Sequence, residues 1–187
     1  MGDMNDPAPI VALSATPERI AQAVHKVVTA DGVRAARLAA GASQSLVEEP
    51  TDVNSARWFQ SLVELGWLVA SADGFDPAER ASMAALLATV TGKAVDEQLL
   101  EQHLAELAHQ VDIMGRSQRL ARAAAELHDQ SSGDDALAFA ALVAMADGRL
   151  EQIELDTLIA LGSYMSIDTA QVRALVAALA KDVEANL

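Results

Sequence analysis

Two stretches of this sequence resemble each other, and this repeat constrains the fold more than any other feature. In both, a run of apolar residues passes directly into Ala-Asp-Gly and then into an acidic segment, over Leu68–Glu79 and Leu142–Glu154. With one residue inserted in the second loop, the matching acidic positions are Asp73 and Asp147, Asp76 and Glu151, and Glu79 and Glu154. Two such units predict a helical bundle with an internal pseudo-twofold helix–loop–helix repeat, in which the two most apolar helices pack at the centre.

The composition indicates that the remaining elements are also helices. Alanine makes up about a fifth of the chain and aromatic residues only 3%. Alanine has the highest helix propensity, whereas the β-branched and aromatic runs that favour strands are nearly absent. Capping residues and apolar periodicity then predict an all-α bundle of about seven to nine helices.

The same signals divide the chain into three parts. Residues 1–16 contain Pro7, Pro9 and small polar residues, and we predict a disordered N-terminal lead-in. Residues 17–54 form an N-terminal helical extension that ends in a linker from Gly41 to Asn54. Residues 55–187 form the main helical domain, with its repeats at about 55–114 and 132–187.

Charge and cysteine content restrict the compartment and the partners. The formal net charge is −14, which argues against nucleic acid and against anionic membrane surfaces as partners. The longest apolar run, Ala136–Ala146, is too short to cross a bilayer, and the N-terminus lacks a secretory signal pattern. We therefore expect a cytoplasmic protein without membrane insertion. We also expect a protein partner. The acidic C-terminal half favours a basic partner, and a homodimer is a further alternative.

The acidic loops are the candidate metal site. Asp73, Asp76 and Glu79 place three carboxylates within seven residues, and Asp147, Glu151 and Glu154 repeat the arrangement. Hard divalent cations such as Ca²⁺ or Mn²⁺ bind several oxygen ligands, and the two sets could also converge on one site. The structural interpretation is that these side chains only cap helices and turn the chain.

Two further patterns have structural explanations as well. Glu106 and His109 form a Glu-x-x-His pair on a helix, but a di-iron bundle needs two such motifs and two further glutamates. Arg116, Arg119 and Arg122 recur at helical spacing. A docking stripe for an acidic partner is one interpretation, and we favour a solvated face that pairs with nearby acids.

The duplicated Ala-Asp-Gly motif resembles the TerB-like family of tellurite-resistance proteins. The residues that carry the resemblance are Ala72-Asp73-Gly74 with Asp76 and Glu79, and Ala146-Asp147-Gly148 with Glu151 and Glu154. The resemblance covers about residues 55–187. It implies an all-α bundle in a bacterial cytoplasm, a link to metal or metalloid stress, and metal binding by the acidic residues.

The sequence therefore favours a non-enzymatic TerB-like module linked to metal or metalloid stress. The alternative is a metal-free acidic protein-interaction module, such as an immunity protein or a co-chaperone-like domain. A di-iron carboxylate oxidoreductase is a distant third hypothesis. Phosphate-binding loops and nucleophile motifs are absent from the sequence, so we expect no enzymatic activity.

Overall fold

The protein is an all-α bundle, as the sequence predicts. The computed structural model describes residues 8–45, 50–72, 74, 83–84, 86–89, 91, 97–129 and 133–187. Within these ranges, helical residues also occur at 83–84 and 86–89, and eight helices have defined bounds. They are α1 (Pro17–Thr29), α2 (Gly32–Ser45), α3 (Val53–Ala70), α4 (Glu97–Met114), α5 (Arg116–Asp129), α6 (Gly133–Ala144), α7 (Gln152–Tyr164) and α8 (Thr169–Ala185).

Capping residues place several of the helix starts where the sequence predicts them. Thr16 is the N-cap of α1, and Pro17 occupies the first helical position. Asp168 caps α8: its carboxylate accepts a hydrogen bond from the Gln171 backbone N–H at 2.9 Å, and the Gln171 side chain accepts one from the Asp168 N–H at 3.1 Å. This reciprocal pair satisfies two backbone donors that a helix start leaves without partners.

The two most apolar helices, α3 and α6, pack against each other at the centre. Every residue of α6 from Ala136 to Ala144 is buried, and so are nearly all residues of α3 from Ala56 to Ala70. Gly66 permits their close approach, because a Cβ at this position would lie 3.0 Å from the Val143 Cγ2 atom. The other helices surround this pair.

The chain from Gly41 to Ser45 is part of helix α2, where the sequence predicted the beginning of a linker. Gly41 acts as a contact position: a Cβ there would lie 2.7 Å from the Phe59 Cβ atom and 2.9 Å from the Ser55 carbonyl oxygen. Leu38 and Ala42 of α2 are buried in the same core as α3. Residues 17–45 are therefore part of the bundle core and do not form a separate extension.

Part of the predicted disordered lead-in is ordered. Strand β1 (Val11–Ala12) pairs antiparallel with β2 (Arg149–Leu150), which follows the second Ala-Asp-Gly break. The Ile10 N–H donates to the Leu150 carbonyl at 2.8 Å, and the Leu13 N–H donates to the Gly148 carbonyl at 2.7 Å. The expectation of disorder is thus corrected for these residues.

The C-terminal end of the chain contacts helix α1. Lys26 of α1 donates to the Asn186 carbonyl at 3.2 Å, and Arg19 donates to the Leu187 carbonyl. Among the described helices, none is both long and apolar enough to span a membrane.

Candidate functional site

The second acidic loop has the backbone course that the sequence predicts. Helix α6 tightens into a 3₁₀ turn at Met145–Asp147, and Gly148 then adopts the left-handed conformation with a φ of 96°. The Asp147 carboxylate accepts a hydrogen bond from the Arg149 N–H at 2.9 Å, and its second oxygen lies 3.6 Å from Arg149 Nε. Asp147 therefore stabilises the turn.

The two glutamates of this loop act at the start of α7. Glu151 is the N-cap, and its backbone N–H donates to the Glu154 carboxylate at 2.8 Å. Glu154 is buried. Both glutamates thus have the helix-capping role that the structural interpretation assigned to them.

The first acidic loop, with Asp73, Asp76 and Glu79, lies outside the described residues. Among the described residues, no group of three or more His, Asp or Glu side chains is placed to hold a metal ion. Asp147 and Glu154 do line one small cavity of about 10 Å³, which they share with Ala70 and Met83.

A larger cleft opens between helices α3, α4 and α5. Its volume is about 480 Å³, which is within the range of small-molecule sites. The lining is mainly polar and charged, with Arg57, Gln60, Ser61 and Glu64 from α3, His103, Glu106, Leu107, Gln110 and Met114 from α4, and Arg119, Arg122, Ala123 and Glu126 from α5.

A buried ion pair lies in the lining of the cleft. The Glu64 carboxylate Oε1 accepts a hydrogen bond from Arg119 Nε at 2.6 Å and lies 2.5 Å from an Arg119 terminal nitrogen. Burial raises the pKa of Glu64 above its ordinary value, while the Arg119 charge acts in the opposite direction. The pair therefore carries a desolvation cost that the attraction between its charges only partly offsets.

His103 places a second buried polar atom at the cleft. Its Nε2 is buried and has no hydrogen-bond partner among the described residues. Burial lowers the pKa of His103, and the Arg119 charge lowers it further, against the effect of Glu106. The imidazole is therefore neutral at pH 7, with one ring nitrogen free to donate or accept a hydrogen bond.

Only some of the charged residues at the mouth of the cleft have an oppositely charged side chain within 4 Å among the described residues. Arg57 Nε lies 3.6 Å from the Glu126 carboxylate. The Glu106 carboxylate accepts a hydrogen bond from the Gln110 amide at 3.0 Å. Arg122 is exposed and its charge acts on the Glu64 carboxylate.

The arginine stripe of α5 faces helix α3 at two of its three positions, so the predicted solvated face is wrong there. Arg119 is buried against Glu64 as described. Arg116 donates to the Ser71 carbonyl at 2.6 Å, to the Ser71 hydroxyl at 3.0 Å, and to the Leu68 carbonyl. It thereby adds hydrogen bonds to carbonyls at the C-terminal end of α3, where a helix lacks its own donors.

The structure separates the two residues of the Glu-x-x-His pattern. Glu106 lines the cleft, whereas His109 is exposed and does not line it.

The sequence patterns did not identify Glu64 as a residue of the site. The available signal was a carboxylate within the run Leu62-Val63-Glu64-Leu65 of a helix predicted to be buried, because a buried charge requires a partner.

Comparison with family models, with curated proteins and with solved structures found no match to this chain.

Proposed function

We propose that this chain is a non-enzymatic binding module that holds a small polar molecule in the cleft between α3, α4 and α5. The observation that carries the proposal is the cleft itself, a cavity of ligand size with a buried ion pair in its lining and an unpartnered imidazole nitrogen.

The lining combines fixed and adaptable groups, as a binding site needs. The Glu64–Arg119 pair joins α3 to α5 and is held by a hydrogen bond from Arg119 Nε and by the ion-pair contact of an Arg119 terminal nitrogen. Arg122 and Glu106 at the mouth are exposed and can reorient toward a ligand. Leu107 and Ala123 are buried apolar residues that border the same space.

The test is a thermal-unfolding screen against amino acids, short peptides, organic acids, nucleosides and sugars. Gln110→Trp places a large ring in the cleft, and Gln102→Trp places the same ring on an exposed position of α4 outside it. A ligand of the cleft raises the Tm of the wild-type protein and of Gln102→Trp, and this shift is lost in Gln110→Trp. A shift that survives in Gln110→Trp, or no shift with any compound, contradicts the proposal.

A second candidate is the TerB-like function in metal or metalloid stress, in the bacterial cytoplasm, with a divalent cation at the acidic loops. Its support is the small cavity bordered by Asp147, Glu154, Ala70 and Met83. Ala70 lies two residues before the start of the first Ala-Asp-Gly motif in the sequence. Carboxylates from both loops would be needed, since those of the second loop already stabilise its turn and its helix start.

Thermal unfolding of chelator-treated protein with Ca²⁺ and with Mn²⁺ tests this second function. A cation that binds only the folded state stabilises it by about 2.7 kcal/mol at 100 times its Kd. The shift should disappear in Asp73→Asn/Asp147→Asn and persist in Asp182→Asn, which removes an exposed carboxylate of α8. An unchanged Tm with both ions contradicts cation binding.

The basic protein partner that we expect from the acidic C-terminal half stays a prediction.

A further inference from the structure

Among the described residues, one cation and one anion that line the cleft form no ion pair within 4 Å. Arg119 is paired with Glu64, and Arg57 lies near Glu126. The remaining two are Arg122 on α5 and Glu106 on α4, and neither forms an ion pair among the described residues. They are on different helices that line the same space.

This charge balance discriminates between classes of ligand. A ligand with only negative charge would meet Glu106 and Glu126 in the cleft, in a protein of net charge −14. A ligand with only positive charge would meet Arg57 and Arg122. A ligand that carries one charge of each sign satisfies both unmatched groups and avoids both repulsions.

The geometry also requires that the two ligand charges be separated. Because Arg122 and Glu106 are on different helices that line the same cleft, a ligand that contacts both needs several bonds between its two charges. A carboxylate matches the guanidinium fork of Arg122. An ammonium group matches the Glu106 carboxylate.

On the basis of the proposed function, we infer that the cleft binds a small amphoteric molecule with an ammonium and a carboxylate group several bonds apart. Short peptides with free ends and ω-amino acids share this chemistry. The Arg122 guanidinium binds the carboxylate, and the Glu106 carboxylate binds the ammonium group. Leu107 borders the same space and contacts the carbon atoms between them.

Isothermal titration calorimetry with matched probes tests the inference. The probes are alanylglutamine, its N-acetyl derivative, which lacks the ammonium group, and its C-terminal amide, which lacks the carboxylate. We expect each blocked form to bind at least 10-fold more weakly than the free dipeptide. 6-Aminohexanoate, compared with hexanoate and hexylamine, distinguishes an ω-amino acid from a peptide as the preferred source.

Two variants assign the charges to their residues. Arg122→Gln should abolish the difference in affinity between the dipeptide and its amide, while the difference in affinity between the dipeptide and its N-acetyl form remains. Glu106→Gln should do the reverse. Arg173→Gln on α8 and Glu101→Gln on the outer side of α4 remove the same charges at exposed positions outside the cleft, and both should leave all the affinities unchanged.

The outcomes separate this inference from the proposed function. If a blocked probe binds as tightly as its free form, or if the Arg122→Gln and Glu106→Gln patterns do not appear, the amphoteric class is wrong. If compounds of another class bind and Gln110→Trp blocks them, the cleft is still a binding site and only its ligand class is overturned. If neither these probes nor the screened compounds bind, both are overturned.

Discussion

At the scale of single residues, the buried ion pair of Glu64 and Arg119 couples charge to the stability of the core. Glu64 is in the buried part of α3, and its charge is tolerated because Arg119 reaches it from α5 with a hydrogen bond and an ion-pair contact. Replacement of one member of such a pair leaves the other as an isolated buried charge. The pair therefore links the stability of the protein to pH.

We predict that Arg119→Met lowers the free energy of unfolding at pH 7 by about 3 kcal/mol, the usual cost of an unpaired buried charge. Glu64→Gln/Arg119→Met should recover most of this loss, because no charge is then buried. Urea unfolding measures both. A double variant as unstable as the single one would show that packing, and not the Glu64 charge, causes the loss.

The same pair predicts the direction of a pH effect. The folded-state pKa of Glu64 is raised above its ordinary value of 4.5, so the native state holds this proton more tightly than the unfolded state. The stability that the proton contributes is fully present below pH 4.5 and is lost as the pH rises through the folded-state pKa. The difference in free energy of unfolding between Arg119→Met and the double variant should therefore shrink as the pH is lowered from 7 to 4.5. A difference that is independent of pH would contradict this.

Gly148 is a residue whose identity the backbone conformation demands. Its φ of 96° is in the left-handed region, and a Cβ would lie 3.1 Å from the Ile20 Cδ1 atom. We predict that Gly148→Ala lowers the free energy of unfolding by about 1–2 kcal/mol, and that Gly148→Asn lowers it less because Asn tolerates this conformation. Gly133→Ala, where the nearest atom would be 3.5 Å away, is the control in the same thermal-unfolding series.

At the scale of elements, the close packing of α2 against α3 determines how a substitution at Gly41 changes the stability of the protein. Helix propensity alone predicts that Gly41→Ala stabilises α2 by up to about 1 kcal/mol. The structure predicts the opposite sign, because the new methyl group would meet Phe59 and the backbone oxygen of Ser55. Gly32→Ala, in the same helix with open space around it, should cause no loss. A higher Tm for Gly41→Ala would contradict the close packing.

At the scale of the whole molecule, β1 connects the N-terminus to the second Ala-Asp-Gly break. Removal of residues 1–13 takes away this pairing and the buried Leu13 side chain. We predict a loss of about 2 kcal/mol, the value of one buried leucine, relative to a chain that lacks only residues 1–7. Equal denaturation midpoints for the two truncated chains would show that β1 does not stabilise the bundle.

Local sequence patterns determined the class of fold and many of its helix boundaries. Alanine content, apolar periodicity and caps such as Thr16 and Asp168 act over one or two helical turns, so they can be identified without knowledge of distant neighbours. The turn at Asp147-Gly148 belongs to the same group, since an Asp–Gly pair directly after an apolar helix carries its own geometric signal.

Only the tertiary structure decided the pairing of β1 with β2, the contact at Gly41 and the cleft. Each depends on residues far apart in sequence, and the physical reason is the same in each case. The glycine at position 41 does not by itself show whether it breaks a helix or admits a neighbouring one, and only the approach of α3 decides this. Likewise, the helical spacing of arginines in the sequence is the same whether their side chains face solvent or a buried carboxylate. Arg119 is buried because α3 places Glu64 opposite it.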